Sequence, residues 1–169
     1  MQRTETQTTL PGNARRVQDY LRENGFDCIV IELPNSTRTA AEAAAAIGSS
    51  VTQIAKSLIF KNRQDNTPVL VVASGANRVD VGKIEKQTGL QLDTANGTWV
   101  KEQVGFAIGG VPPVAHTSRL HTILDQDLNN CSCIWAAAGT PQALFKLAPA
   151  DLQAMTGGTW LDLAEARRT

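Results

Sequence analysis

Ile54-Ala55-Lys56-Ser57-Leu58-Ile59-Phe60-Lys61, the polar link Asn62-Arg63-Gln64-Asp65-Asn66-Thr67, and then Val69-Leu70-Val71-Val72-Ala73 read as two β-strands joined as a hairpin. Working outward, Cys28–Leu33 reads as an earlier strand, and Thr122–Asp125, Cys131–Ala138, Leu144–Leu147 and Thr159–Leu163 as later ones. Helices fall between them. Asn13 is placed to cap one through about Asn24, closed by Gly25. Thr39 and Glu42 have capping-box spacing ahead of Ala40–Ile47, and Gly48 closes that helix. Val79–Thr88 has helical spacing and ends at Gly89, Thr98–Val104 is a short helix, and Pro149 opens the last one before Gly157-Gly158. Hairpin-linked strands with interspersed helices, without regular β-α-β-α alternation, give an α+β (mixed α/β) fold with a mixed, barrel-like sheet surrounded by helices.

A chain of 169 residues with 42% hydrophobic and 19% charged residues fits one core. Residues 1–10 read as a loose polar tail and 11–169 as a single domain. The N-terminal stretch lacks the apolar segment of a signal peptide, and no run of apolar residues is long enough to span a membrane. The formal charge is zero, with 16 basic and 16 acidic residues, which argues against a general nucleic-acid or DNA coater. Recognition of one nucleic-acid end by a few local charges stays open; Lys61, Arg63, Arg78, Lys83, Lys86 and Arg119 are the nearby candidates. The odd cysteine count, Cys28, Cys131 and Cys133, favours reduced thiols and a cytoplasmic location. Metal-ligand spacing is absent, so no metal and no cofactor are expected. No nucleophile elbow, phosphate loop or dinucleotide fingerprint is present.

Two features carry chemistry. Lys56 sits in an apolar strand and shares a face with Ile54, Leu58 and Phe60. Either it is an inward ammonium kept for a reason, or its stem packs at an edge while the head reaches water. The second feature is Gly105-Phe106-Ala107-Ile108-Gly109-Gly110-Val111-Pro112-Pro113-Val114-Ala115-His116. Glycines allow positive φ and close approach, and the two prolines stiffen the second half of the loop. Such a loop suits gripping a small polar group with main-chain atoms, or serves as a stiff turn. His116 is a candidate base or hydrogen-bond donor at its rim.

Together, Ile54-Ala55-Lys56-Ser57-Leu58, Gly105–Pro113, Arg119-Leu120-His121-Thr122-Ile123-Leu124-Asp125 and Ala137-Ala138-Gly139-Thr140-Pro141 resemble the YbaK/prolyl-tRNA synthetase-associated domain family. These are trans-acting relatives of the editing domain inserted in bacterial prolyl-tRNA synthetase. The resemblance implies hydrolysis of the ester joining a wrong amino acid to tRNA. It implies that Lys56 holds the tRNA terminus and that the backbone of Gly109 and Gly110 polarises the ester carbonyl. Val111, Pro112, Pro113, His116, Ala138, Gly139, Thr140, Thr37 and Thr39 are then expected to border the substrate. The implied partners are the acceptor end of an aminoacyl-tRNA and a synthetase such as prolyl-tRNA synthetase. Some relatives acting on cysteinyl-tRNA carry a serine and an aspartate where this chain has Ala137 and Leu144. A small amino acid, alanine with cysteine or serine as rivals, is the expected leaving residue. A non-catalytic module binding tRNA or a synthetase is the alternative.

Overall fold

The computed structural model describes residues 10, 12–35 and 39–166. The expected tail lies almost wholly outside the described residues, as does Thr37. Helix α1 spans Gly12–Glu23 and is followed by strand β1, Val30–Glu32. Helix α2 covers Ala40–Ile47, and a 3-10 turn at Val51–Gln53 leads into β2, Ile54–Asn62. Strand β3 is Pro68–Ser74, α3 is Val81–Thr88, β4 is Leu92–Thr94 and α4 is Gly97–Val104. Strand β5 is His121–Asp125; a 3-10 segment, Gln126–Asn130, then precedes β6, Ile134–Ala137. Strand β7 (Ala143–Leu147), α5 (Pro149–Thr156) and β8 (Thr159–Leu161) complete the order.

The strands form one eight-stranded sheet, in the order β1-β7-β6-β2-β3-β5-β8, with β4 paired to β2 off that path. It is mixed: β2 runs antiparallel to β3 and β4 but parallel to β6, and β5 runs parallel to β3 and β8. The sheet is open, with β1 and β8 at its ends. Strand β3 is an unbroken apolar run because both of its faces are covered. Leu70 and Val72 pack into the main core with α1, α4 and Phe106, while Val69, Val71 and Ala73 pack with Ile84 of α3 and Leu163.

The alanine-rich α2 begins as its sequence dictates. The Thr39 hydroxyl accepts the Glu42 N–H at 3.1 Å, and Gly48 closes the helix at φ +68°. Its Ala43 and Ala44 let the helix approach closely, packing on Ile54 and Leu144. Several expected boundaries move. Asn13 lies inside α1, which starts at Gly12, so it is not the cap. The strand expected from Cys131 starts only at Ile134, because the 3-10 segment occupies the chain up to Asn130; both Cys131 and Cys133 therefore lie ahead of it. Val79 makes an isolated bridge to Ala164, and Asp80 caps α3 by accepting from Gly82 and Lys83.

Candidate active site

Strand β2 is paired along one edge by β3 but is only partly covered along the other. There, β6 pairs with Ile54 and Ala55, and β4 pairs with Phe60, Lys61 and Asn62. Lys56, Ser57, Leu58 and Ile59 have no strand beside them on that edge. Alternation fixes which main-chain groups face this gap. The Ile54 carbonyl accepts from Gly75, and the Asn62 N–H donates to Thr67, both on the β3 side. The odd-numbered residues between them turn the other way, so Ser57 presents its N–H and C=O to the opening.

A cavity of about 450 Å3 straddles the gap. Thr39, Ala40 and Ala43 of the α2 region line it on one side of the strand, with Ala137 and Leu144. Val100, Gly109 and Val111 line it on the other, and Ile108, 61% exposed, stands at the loop that overhangs it. Of the residues expected at a site, Lys56, Thr39, Gly109 and Val111 share this one cavity. The Thr39 hydroxyl also serves as the helix cap, accepting from the Glu42 N–H.

The Lys56 ammonium is held rather than free. It donates to the Asn77 carbonyl at 2.7 Å. The Asn77 amide in turn donates to Asp125 and Asp127, each at 2.8 Å. Asp125 is buried and also accepts from the Ser74 and Asp127 N–H groups, so the post that carries the lysine is rigid. Burial pushes the Lys56 pKa below its ordinary 10.5, and Arg78 pushes it the same way, while Asp125 opposes them. An ammonium has three donors, and a single one is used here among the described residues. Of the nearby cations named from sequence, Arg63 is paired with Asp93 and Lys83 with Asp162.

The two loop glycines are needed for different reasons. Gly109 has φ +97° with no heavy atom within 4 Å of a built Cβ, so its need is conformational. Gly110 is needed for close approach: a Cβ there would lie 2.8 Å from the Thr140 Cα and 3.0 Å from the Gly139 carbonyl carbon. That contact seats the loop on the Gly139-Thr140 turn. Gly110, Gly139 and Thr140 therefore support the cavity from behind without lining it, and Ala138 is fully buried, its N–H donating to the Ala143 carbonyl. The N–H groups of Gly109 and Val111 donate to no acceptor among the described residues.

Pro112, Pro113 and His116 sit differently. His116 Nε2 lies 2.7 Å from the Pro112 carbonyl; a carbonyl can only accept, so Nε2 carries the proton. The ring meets Phe106 edge-on at 6.4 Å. Pro113 and His116 line a second, larger cavity of about 540 Å3 with Tyr20, Asn24 and Arg119, apart from Lys56 and Gly109. His116 is thus a strut that closes the turn, beside Ala115 at the strained φ of +70°. From α1, Arg16 reaches the carbonyls of Gly105 and Ala115 and stacks on Phe106, buckling both ends of the segment.

Burial pushes the His116 pKa below its ordinary 6.5, outweighing the Pro112 bond that raises it. Between the folded and unfolded values the unfolded chain binds more protons. Stability is therefore fully present above the unfolded value and falls as pH drops through the folded one. Denaturant titrations from pH 7.5 downward are expected to show this loss around and below pH ~6.5. His116→Gln, which keeps a donor for Pro112, is expected to flatten that part of the slope; an unchanged slope would remove His116 as its source.

Sequence missed Ser57, Asn77 and Asp125 as site residues. The lone signal for Ser57 was its place beside Lys56. A pairing strand for the end of β2 also escaped, since Leu92-Asp93-Thr94 is too short to show alternation.

The site thus sets an anchored ammonium and the unpaired N–H groups of Gly109 and Val111 around one open sheet edge. The family model for the aminoacyl-tRNA editing domain matches residues 34–155, and the chain belongs to that family. It resembles the crystal structure of a candidate trans-editing enzyme for prolyl tRNA synthetase, with 48% identity and a TM-score of 0.88, over 94% of this chain and 100% of that one. A structure from computational epitope grafting onto scaffold proteins is similar at 46% identity and a TM-score of 0.88, over 93% and 100% of the two chains. The uncharacterized protein YwhH of Bacillus subtilis (strain 168) is 31% identical over 137 residues, 80% of this chain and 87% of that protein. Among the described residues no helix is long and apolar enough to cross a membrane.

Proposed function

We propose that this chain is an aminoacyl-tRNA deacylase that acts in trans, releasing a small wrong amino acid from the acceptor end of tRNA. The observation that carries the reading is that Lys56, Gly109 and Val111 line one cavity at the open edge of β2. In this reading the ammonium, with donors left over from Asn77, holds a phosphate of the tRNA end by charge-assisted hydrogen bonds. The unpaired N–H groups of Gly109 and Val111 meet the ester carbonyl oxygen as it gains negative charge. Water adds to the carbonyl carbon, the bond from that carbon to the ribose oxygen breaks, and the departing oxygen takes the proton. The ribose's own neighbouring hydroxyl guides the water, so positioning replaces a protein base. The similarity to a candidate trans-editing enzyme for prolyl tRNA synthetase makes tRNA-Pro and that synthetase the first substrate and partner to try.

The test is a panel of mischarged tRNAs incubated with purified protein, following release of each amino acid. Catalytic release of at least one small residue, with correctly charged prolyl-tRNA spared, is expected. Binding of tRNA without any release would replace the reading with a non-catalytic module.

A further inference from the structure

Ser57 stands out on grounds unconnected with the family. Among the described residues its hydroxyl is the one buried side-chain oxygen or nitrogen with no hydrogen-bond partner. Leaving such a group buried and unpaired is destabilising, so a polar atom kept there calls for an explanation. Its place in the fold supplies one. By strand alternation Ser57 shares the face of Ala55 and Ile59, opposite to Lys56. The cavity is thus divided by the strand edge. On the Lys56 side lie Ile54, Leu58 and the α2 alanines. On the Ser57 side lie Ala55, Ile59, Ala95, Val100 and Val111, all apolar. The other hydroxyls of the lining stand elsewhere: Thr39 caps α2 on the Lys56 side, and Thr94 is exposed at the rim.

We infer that Ser57 is the residue that selects the amino acid, and that the favoured side chain is small and ends in a hydroxyl or thiol. The inference rests on the deacylase reading and deepens it. With the tRNA end held on the lysine side, the aminoacyl group crosses the open edge and places its side chain in the apolar half. Among the lining residues of that half, Ser57 is the one with a polar side chain. Its hydroxyl is shielded in the unliganded chain, but no hydrogen bond holds it, so turning about χ1 into the cavity forfeits no partner. Ala137 and Leu144 are apolar and supply no competing contact.

The decisive comparison uses isosteres. 2-Aminobutyryl-tRNA carries a methyl where seryl-tRNA carries a hydroxyl, so size is matched and the hydrogen bond is not. Wild type is expected to hydrolyse seryl- or cysteinyl-tRNA at least about 10-fold faster, in kcat/KM, than 2-aminobutyryl-tRNA, and the two polar substrates show which terminal group is read. Ser57→Ala is expected to erase most of that ratio, with seryl-tRNA hydrolysis falling toward the 2-aminobutyryl-tRNA value. Ser57→Thr is expected to keep part of it. Because Ser57→Ala removes an unpartnered hydroxyl, it is expected to melt no lower than wild type. A ratio unmoved by Ser57→Ala, or a wild-type preference for 2-aminobutyryl, overturns the assignment and leaves the deacylase reading intact. If no ester is cleaved, the deacylase reading falls, and binding decides Ser57 separately. The non-hydrolysable 3′-seryl- and 3′-(2-aminobutyryl)-amides of 3′-amino-3′-deoxyadenosine are titrated by NMR against wild type and Ser57→Ala. A seryl preference lost in the variant sustains the assignment; equal affinity overturns it.

Discussion

Lys56→Ala is expected to lower kcat/KM for deacylation by about 100-fold or more, the scale of losing one charged contact to the reacting end of a substrate. The fold is expected to survive. The lysine is only partly buried, and the one bond it loses, from its ammonium to the Asn77 carbonyl, is worth about 1.5–3 kcal/mol. Asn77 itself stays tied to Asp125 and Asp127, so the empty post keeps its shape. Lys56→Arg is expected to recover little, since a planar fork replaces a compact donor set within 2.7 Å of a fixed carbonyl. Single-turnover hydrolysis beside a denaturation curve checks both halves. Full turnover in a folded Lys56→Ala protein would remove the assigned role.

The second large effect separates neighbouring glycines. Gly110→Ala puts a methyl 2.8 Å from the Thr140 Cα and 2.9 Å from the Thr140 nitrogen. Both are backbone atoms that cannot swing aside, so the loop must lift from its seat. The expected cost is about 2–3 kcal/mol of stability. Displacing the Val111 amide by roughly 1 Å also predicts about a 100-fold fall in activity. Gly109→Ala meets no neighbour and pays only for its positive φ, about 1–2 kcal/mol. Urea midpoints and hydrolysis rates for the pair check the contrast. A Gly110→Ala protein as stable and active as wild type would show that the close contact with Thr140 is dispensable.

Local signals in the sequence were strong where one element satisfied itself. The α2 boundaries follow from Thr39, an alanine run and Gly48, and the β2–β3 hairpin follows from two apolar runs around a polar link. Lys56 was placed on the right face because strand periodicity alone decides that. The features that stayed hidden depend on partners far along the chain. The gap beside β2 exists because β6 and β4, some 40 residues apart, pair with opposite ends of one strand. No property of residues 56–59 announces it. His116 misled for a related reason: its nearness in sequence to the glycines says nothing of the sharp turn at Ala115, which carries it into the other cavity.

An uncovered sheet edge ordinarily invites a strand from another molecule, and with it aggregation. Here the uncovered length runs only from Lys56 to Ile59, roughly 13 Å of extended chain, and it is stopped at both ends by β6 and β4. A foreign polypeptide would have to leave the sheet after a few residues, too few for a durable ladder. The protein can therefore keep main-chain groups uncovered at this gap without courting self-association.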